Sequence, residues 1–231
     1  MEIVVIATGA RWRADGMNGP TQSPIPGAEQ PFVYTPEQVS RAQGAIDGEH
    51  VLVYDTDGYF TAVGMVEMLL EAGKRVTAIT PFPNFAQYMF FTGEAFRVNR
   101  DLRARGATII PAHVVLEIGA DRQLRGQNVW APDPVHFSAD AVVLVTQREP
   151  CDALYRAVTA DPDRLEQEEI ERVYRIGDCV APRLIADCVF DGHRLAREID
   201  TDDPQTPLPY LRELPDVNDV LTVAAPAVQL P

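Results

Sequence analysis

Apolar residues open the chain as an unbroken run, Ile3-Val4-Val5-Ile6, which gives way at once to the small residues Ala7-Thr8-Gly9-Ala10. Such a run, closed by a glycine turn, predicts a parallel-sheet strand buried on both faces. The pattern recurs at Val51 to Asp55, Arg75 to Thr80, Ala107 to Ile110 and Ala141 to Thr146. Between these runs the spacing changes to that of helices. Ala62 to Ala72 carries an apolar face of Met65, Val66 and Leu69 and stops at Gly73, and Glu94 to Arg105 stops at Gly106. Val114 to Ile118 and Gln127 to Trp130 predict a small antiparallel ribbon. Further on come a short helix over Asp152 to Val158, a polar loop through Asp161-Pro162-Asp163, a strand over Val173 to Asp178 and an amphipathic helix over Leu184 to Ile199. Alternation of strand and helix predicts an α/β fold.

Two segments fall outside this alternation. Arg11 to Pro36 is a Pro/Gly-rich connector, ending at Thr35-Pro36-Glu37-Gln38 in a helix start with threonine as N-cap and proline in the first turn. Beyond Asp200 the chain is rich in proline and is expected to wrap over a surface without a core of its own.

The opening strand with its Ala-Thr-Gly exit resembles a piece that comes late in a dinucleotide-binding domain, after the first strand and the phosphate-binding glycine loop. A second piece of that kind lies far downstream, at Ile176-Gly177-Asp178-Cys179-Val180-Ala181-Pro182. Together they bracket a fresh βαβ unit. The fold expected is therefore a partial FAD-like Rossmann domain with an inserted NAD(P)H-binding-like Rossmann domain, disulfide-reductase-like. Its boundaries are 1–45 and 140–215 for the FAD/ADP-binding-like domain, 46–139 for the inserted domain and 216–231 for an extended tail. The first half of the FAD-like domain is expected from another polypeptide.

With 231 residues, 46% of them apolar, the chain is long enough for a substantial core. Its formal charge of -14, from 34 acidic and 20 basic residues, disfavours nucleic acid and anionic membrane surfaces as partners. No stretch approaches the roughly 20 apolar residues of a membrane helix. A cytoplasmic protein is expected. Cys151, Cys179 and Cys188 lack the spacing of a metal or iron-sulfur site, and the histidines are scattered.

The candidate cofactor-binding residues are Thr8, Gly9, Ala10, Gly177 and Asp178. Small residues at a strand exit let the backbone pass close to a nucleotide, and the Gly-Asp turn places N–H groups and one carboxylate beside it. A tight turn with no ligand would account for the first triplet alone. In the inserted unit the glycine loop is replaced by Asp55-Thr56-Asp57-Gly58. Two carboxylates there repel a pyrophosphate, so a scaffold that has lost its nucleotide is favoured over an unusual nicotinamide site. Cys179 reads as a small packing residue, His193 as a helix-surface histidine, Tyr88, Phe90, Phe91 and Phe96 as core, and Glu166 to Glu169 as a solvated face.

Ile6-Ala7-Thr8-Gly9-Ala10-Arg11-Trp12, Pro24 to Ala28, Tyr88 to Thr92, Tyr174 to Asp187 and Gly192 to Ile199 resemble the C-terminal part of the trimethylamine dehydrogenase family, which includes dimethylamine and histamine dehydrogenases. The resemblance implies a long polypeptide with a TIM barrel carrying covalent FMN and a 4Fe-4S cluster, then FAD-like and NADPH-like domains, with ADP in the FAD-like domain and an electron-transferring flavoprotein as acceptor. This chain matches only the latter part and has no counterpart of the barrel. It is therefore expected to be a small subunit of a heteromeric amine-dehydrogenase-like oxidoreductase acting on a C–N bond. It would have no catalytic residue or metal of its own, would complete an ADP or FAD site and would brace a larger subunit. A NAD(P)H-FAD reductase module, as in the dienoyl-CoA reductase branch, and a nucleotide-free interaction subunit remain as alternatives.

Overall fold

The computed structural model describes residues 2–131, 133–199 and 201. The chain divides into two units, Met1–Arg183 and Leu184–Pro231. The predicted tail, 216–231, and the end of the predicted first domain lie outside the described residues.

In the first unit, β1 (Glu2–Ile6) leads to the short β2 (Ala10–Trp12) and, past the connector, to β3 (Val33–Tyr34) and α1 (Pro36–Arg41). β4 (His50–Asp55), α2 (Phe60–Glu71), β5 (Arg75–Ile79), α3 (Ala95–Ala104) and β6 (Thr108–Ile110) follow in strand-helix alternation. β7 (His113–Ile118), β8 (Gln123–Asn128) and β9 (Pro134–Ser138) form an antiparallel sheet, and β10 (Ala141–Val145) returns to the main sheet. β11 (Arg148–Pro150), α4 (Ala153–Thr159), α5 (Pro162–Gln167) and β12 (Ile170–Arg175) complete the unit.

The main sheet has the order β3-β10-β4-β5-β6, with every pair parallel. Its strands read as continuous apolar runs because both faces are covered. Val51 and Val53 join Val66, Leu69, Val98 and Leu102 on the helical side. Leu52 and Tyr54 join Val115, Ile118 and Leu124 on the other. Side chains alternate along a strand, so one run feeds two cores. The sheet takes in β3 and β10, which fall within the 1–45 and 140–215 segments assigned from sequence to the FAD-like domain.

The connector is pinned to β7 at Gly27, where φ is +86° and an added Cβ would stand 1.8 Å from the Ile118 carbonyl oxygen. Only glycine permits that approach.

Among the described residues β1 pairs in parallel with β12 alone, Ile6 opposite Arg175, in a two-stranded sheet. The expected burial of this strand does not hold. Ile6 is buried, but Val5 is 43% exposed, because one neighbour covers neither a face nor the outer edge.

Other expectations shift locally. The ribbon has three strands, β9 being too polar to read as one. The loop at Asp161 starts α5, with Pro162 in its first turn and the Asp161 carboxylate accepting from the Arg164 amide at 3.1 Å. The aromatic cluster is not core. Met89 is the buried residue of the 3-10 turn Gln87–Phe90, while Phe91 and Phe96 are 88% and 75% exposed. Glu166 to Glu169 are exposed as expected.

The second unit contains α6 (Ile185–Glu198), which exposes Ile185, Val189 and Phe190. His193 also lies at the surface. Among the described residues no helix is long and apolar enough to cross a membrane.

Candidate functional site

Because β1 and β12 run side by side in the same direction, their carboxyl ends release Ala7 and Ile176 at one edge. Crevices at that end of parallel strands are where α/β folds hold ligands. The Ile176 amide donates to the Ile6 carbonyl at 3.0 Å, and the buried Cys179 thiol contacts the carbonyls of Ile6 and Ile176. Cys179 thus packs the turn, as read from sequence.

Thr8, Gly9 and Ala10 leave the sheet and are fastened to β11 and its exit. The Thr8 hydroxyl donates to the Cys151 carbonyl, the Cys151 amide donates to the Gly9 carbonyl at 2.9 Å, and Ala10 pairs with Pro150. Gly9 has φ +75°, and among the described residues nothing lies within 4 Å of an added Cβ, so its backbone faces open space there. Gly177 also has a positive φ, 68°, and opens the 3-10 turn that carries Asp178. All five residues expected at the site therefore gather at one sheet end. They fit one wall of a nucleotide site, with exposed backbone at Gly9 and one carboxylate nearby.

That carboxylate is already held by the protein. Asp178 accepts from the Arg183 amide through Oδ1 and from Arg148 through Oδ2, both at 2.8 Å. Arg148 also donates to the Arg183 carbonyl at 2.9 Å, and its guanidinium lies 5.5 Å from the centre of the Trp12 ring. Sequence reasoning missed Arg148, since nothing in its spacing distinguishes it from any charged residue after a buried strand.

A second sheet end lies at β4 and β10, where Asp55 is opposite Val145. Here Asp55 is fully buried. Its Oδ1 accepts from the amides of Asp57 at 3.1 Å and Gly58 at 2.8 Å, while among the described residues its Oδ2 has no partner in hydrogen-bond geometry, the Ala86 amide acting on the carboxylate only weakly. Burial pushes its pKa up to about 7 against the opposing pull of the Gly58 amide. Burial also raises Asp57, and the nearby Arg148 works against that rise. A dinucleotide pyrophosphate does not fit here, because the amides it would use at the β4–α2 turn already serve a carboxylate. Among the described residues no group of His, Cys, Asp and Glu is arranged to hold a metal ion.

Comparison with known proteins accords with this geometry. Residues 34–136 match the family described as the OYE-like second alpha/beta domain. Dimethylamine dehydrogenase from Hyphomicrobium sp. (strain x) is 38% identical over 91% of this chain and 31% of its own length. The structure of histamine dehydrogenase from Rhizobium sp. 4-9 superposes with a TM-score of 0.83 at 31% identity, over 87% of this chain and 31% of that one. The chain belongs to the trimethylamine dehydrogenase-like family. It spans about a third of the length of these amine dehydrogenase relatives. A likeness of fold alone extends to the flavoprotein disulfide reductase RclA from Escherichia coli, with a TM-score of 0.53 at 19% identity over 85% of this chain and 44% of that one.

Proposed function

We propose that this member of the trimethylamine dehydrogenase-like family is the nucleotide-domain subunit of a heteromeric, cytoplasmic amine dehydrogenase. In this reading β1 and β12 belong to an FAD-like domain, the five-stranded sheet is the inserted NAD(P)H-binding-like unit, and a larger subunit with a TIM barrel carries FMN and a 4Fe-4S cluster. That flavin would supply the acceptor for a hydride equivalent from the carbon beside the amine nitrogen, the nitrogen losing a proton, so that a C=N imine is left to be hydrolysed, and an electron-transferring flavoprotein would take the two electrons onward. This chain contributes no group to the reacting atoms. Its part is to close an ADP or FAD site and to brace the catalytic subunit.

One observation supports the reading: the candidate site residues sit at the carboxyl end of a parallel pair whose apolar strand, β1, is only partly covered among the described residues, with Val5 43% exposed. Two parallel strands are too few to stand alone, so further strands are required against Ile3 to Ile6. Thr8, Gly9 and Ala10 would present backbone to the nucleotide, the Gly177 turn would approach it from the second strand, and Asp178, anchored by Arg148, would orient a ribose hydroxyl.

Purification from the native source under mild conditions tests this. The expected result is a larger companion by mass spectrometry, a flavin spectrum in the complex, and ADP or FAD released by acid. A chain isolated alone as a colourless, folded monomer would overturn it.

A further inference from the structure

The turn between β4 and α2 is built like a phosphate-binding nest but serves its own side chain. Its amides at Asp57 and Gly58 converge on Asp55 Oδ1, and the first turn of the 12-residue α2 begins just beyond them. Amide groups at a helix start attract an anion, and in nucleotide-binding sheets that anion is a ligand phosphate. Here a carboxylate with 0% exposure takes the place, covalently tethered and so always present.

A second observation is independent of that carboxylate. The turn is roofed by aromatic rings: a Cβ added at Gly58 would stand 2.9 Å from Phe82 and 3.0 Å from Tyr88. Those two rings meet edge to face at 5.4 Å, and the Tyr88 amide donates to the Gly58 carbonyl at 2.9 Å. A dinucleotide needs bare backbone at this glycine, and the rings occupy that approach. Asp57 adds a further carboxylate to the same four-residue turn, Asp55 to Gly58.

We propose that Asp55 is a tethered substitute for a nucleotide phosphate, filling the amide nest of the inserted sheet from within while Phe82 and Tyr88 seal it from without. The inserted unit is thereby complete without a dinucleotide, and no hydride enters the protein by that route. The β4–α2 turn is closed in this way whether or not a larger companion exists.

The test compares the full chain with the triple variant Asp55→Gly, Asp57→Gly, Tyr88→Ala, which empties and uncovers the nest. NADH and inorganic pyrophosphate are titrated by calorimetry. The full chain should bind neither at millimolar concentration, and the folded variant should bind at least one of them tenfold or more tightly. Binding of NADH to the unaltered chain that excess ADP does not displace, or no gain in a variant that keeps its circular dichroism, would overturn the proposal. Should the variant fail to fold, hydrogen exchange decides. The amides of Asp57 and Gly58 should exchange at least tenfold faster in Asp55→Ala with the amides of β4 unchanged, and equal protection would refute the role given to the carboxylate.

Discussion

β1 and β4 are alike in sequence, each an apolar run entering a turn at its carboxyl end, and unlike in fate. Val51 to Tyr54 are wholly buried between two cores, whereas β1 buries only Ile6. Their turns differ in the same sense. The exit of β1 offers open backbone at Gly9, and the exit of β4 is filled by the side chain of Asp55. A finished sheet has absorbed its ligand position, while an unfinished one has kept it open. The lesson is that an apolar run encodes a demand for cover, and the demand is met only where neighbours exist.

The largest expected effect breaks this contrast at its buried end. Folded Asp55 holds its proton up to about pH 7, well above its unfolded counterpart. Its contribution is therefore fully present below the unfolded pKa and is lost as pH rises through about 7. Asp55→Asn removes the cost of a buried charge and should raise stability at pH 8 by about 4 kcal/mol, at about 1.4 kcal/mol for each tenfold change in acidity. Urea midpoints at pH 5 and pH 8 should diverge for the native chain and converge for the variant.

Next, Arg148→Met strips the guanidinium from Asp178 and from Trp12. A loss of about 2 to 3 kcal/mol is expected from charged hydrogen bonds at a mostly covered position, with weaker retention of nucleotide by the proposed complex. Gly9→Ala forces an L-residue to φ +75° without a clash and should cost about 1 kcal/mol in thermal unfolding. The smallest effect is the sharpest. Val5→Ala, at a position 43% exposed, should change the stability of the isolated chain by less than about 0.5 kcal/mol, yet by about 1 to 2 kcal/mol in the proposed complex, where its side chain would be covered. Equal costs in both states would show that no strand is laid against β1.

Much of the fold was legible because its signals are local. The glycine stops at Gly73 and Gly106, the proline start at Pro36 and the apolar runs of β4, β5 and β10 all fall within two residues of the observed elements. β9 and α5 were missed because alternating polar strands and short proline-led helices resemble loops. Of the candidate site, Thr8, Gly9, Ala10, Gly177 and Asp178 were singled out from two turn motifs, and the structure brings them to one edge. The aspartates of the second turn were seen as hostile to phosphate, but not that Asp55 takes the phosphate's place.

What the sequence alone determined is which segments are strands, which residues turn out of them and that carboxylates stand where glycines bind nucleotides. Period and turn chemistry are properties of neighbours along the chain. Only the tertiary structure decided that β1 lies against β12, that Arg148 clasps Asp178 across 30 residues and that Phe82 and Tyr88 close over Gly58. Those contacts join segments far apart in the chain, and burial, which sets both their strength and the proton held by Asp55, exists only once the sheets have packed.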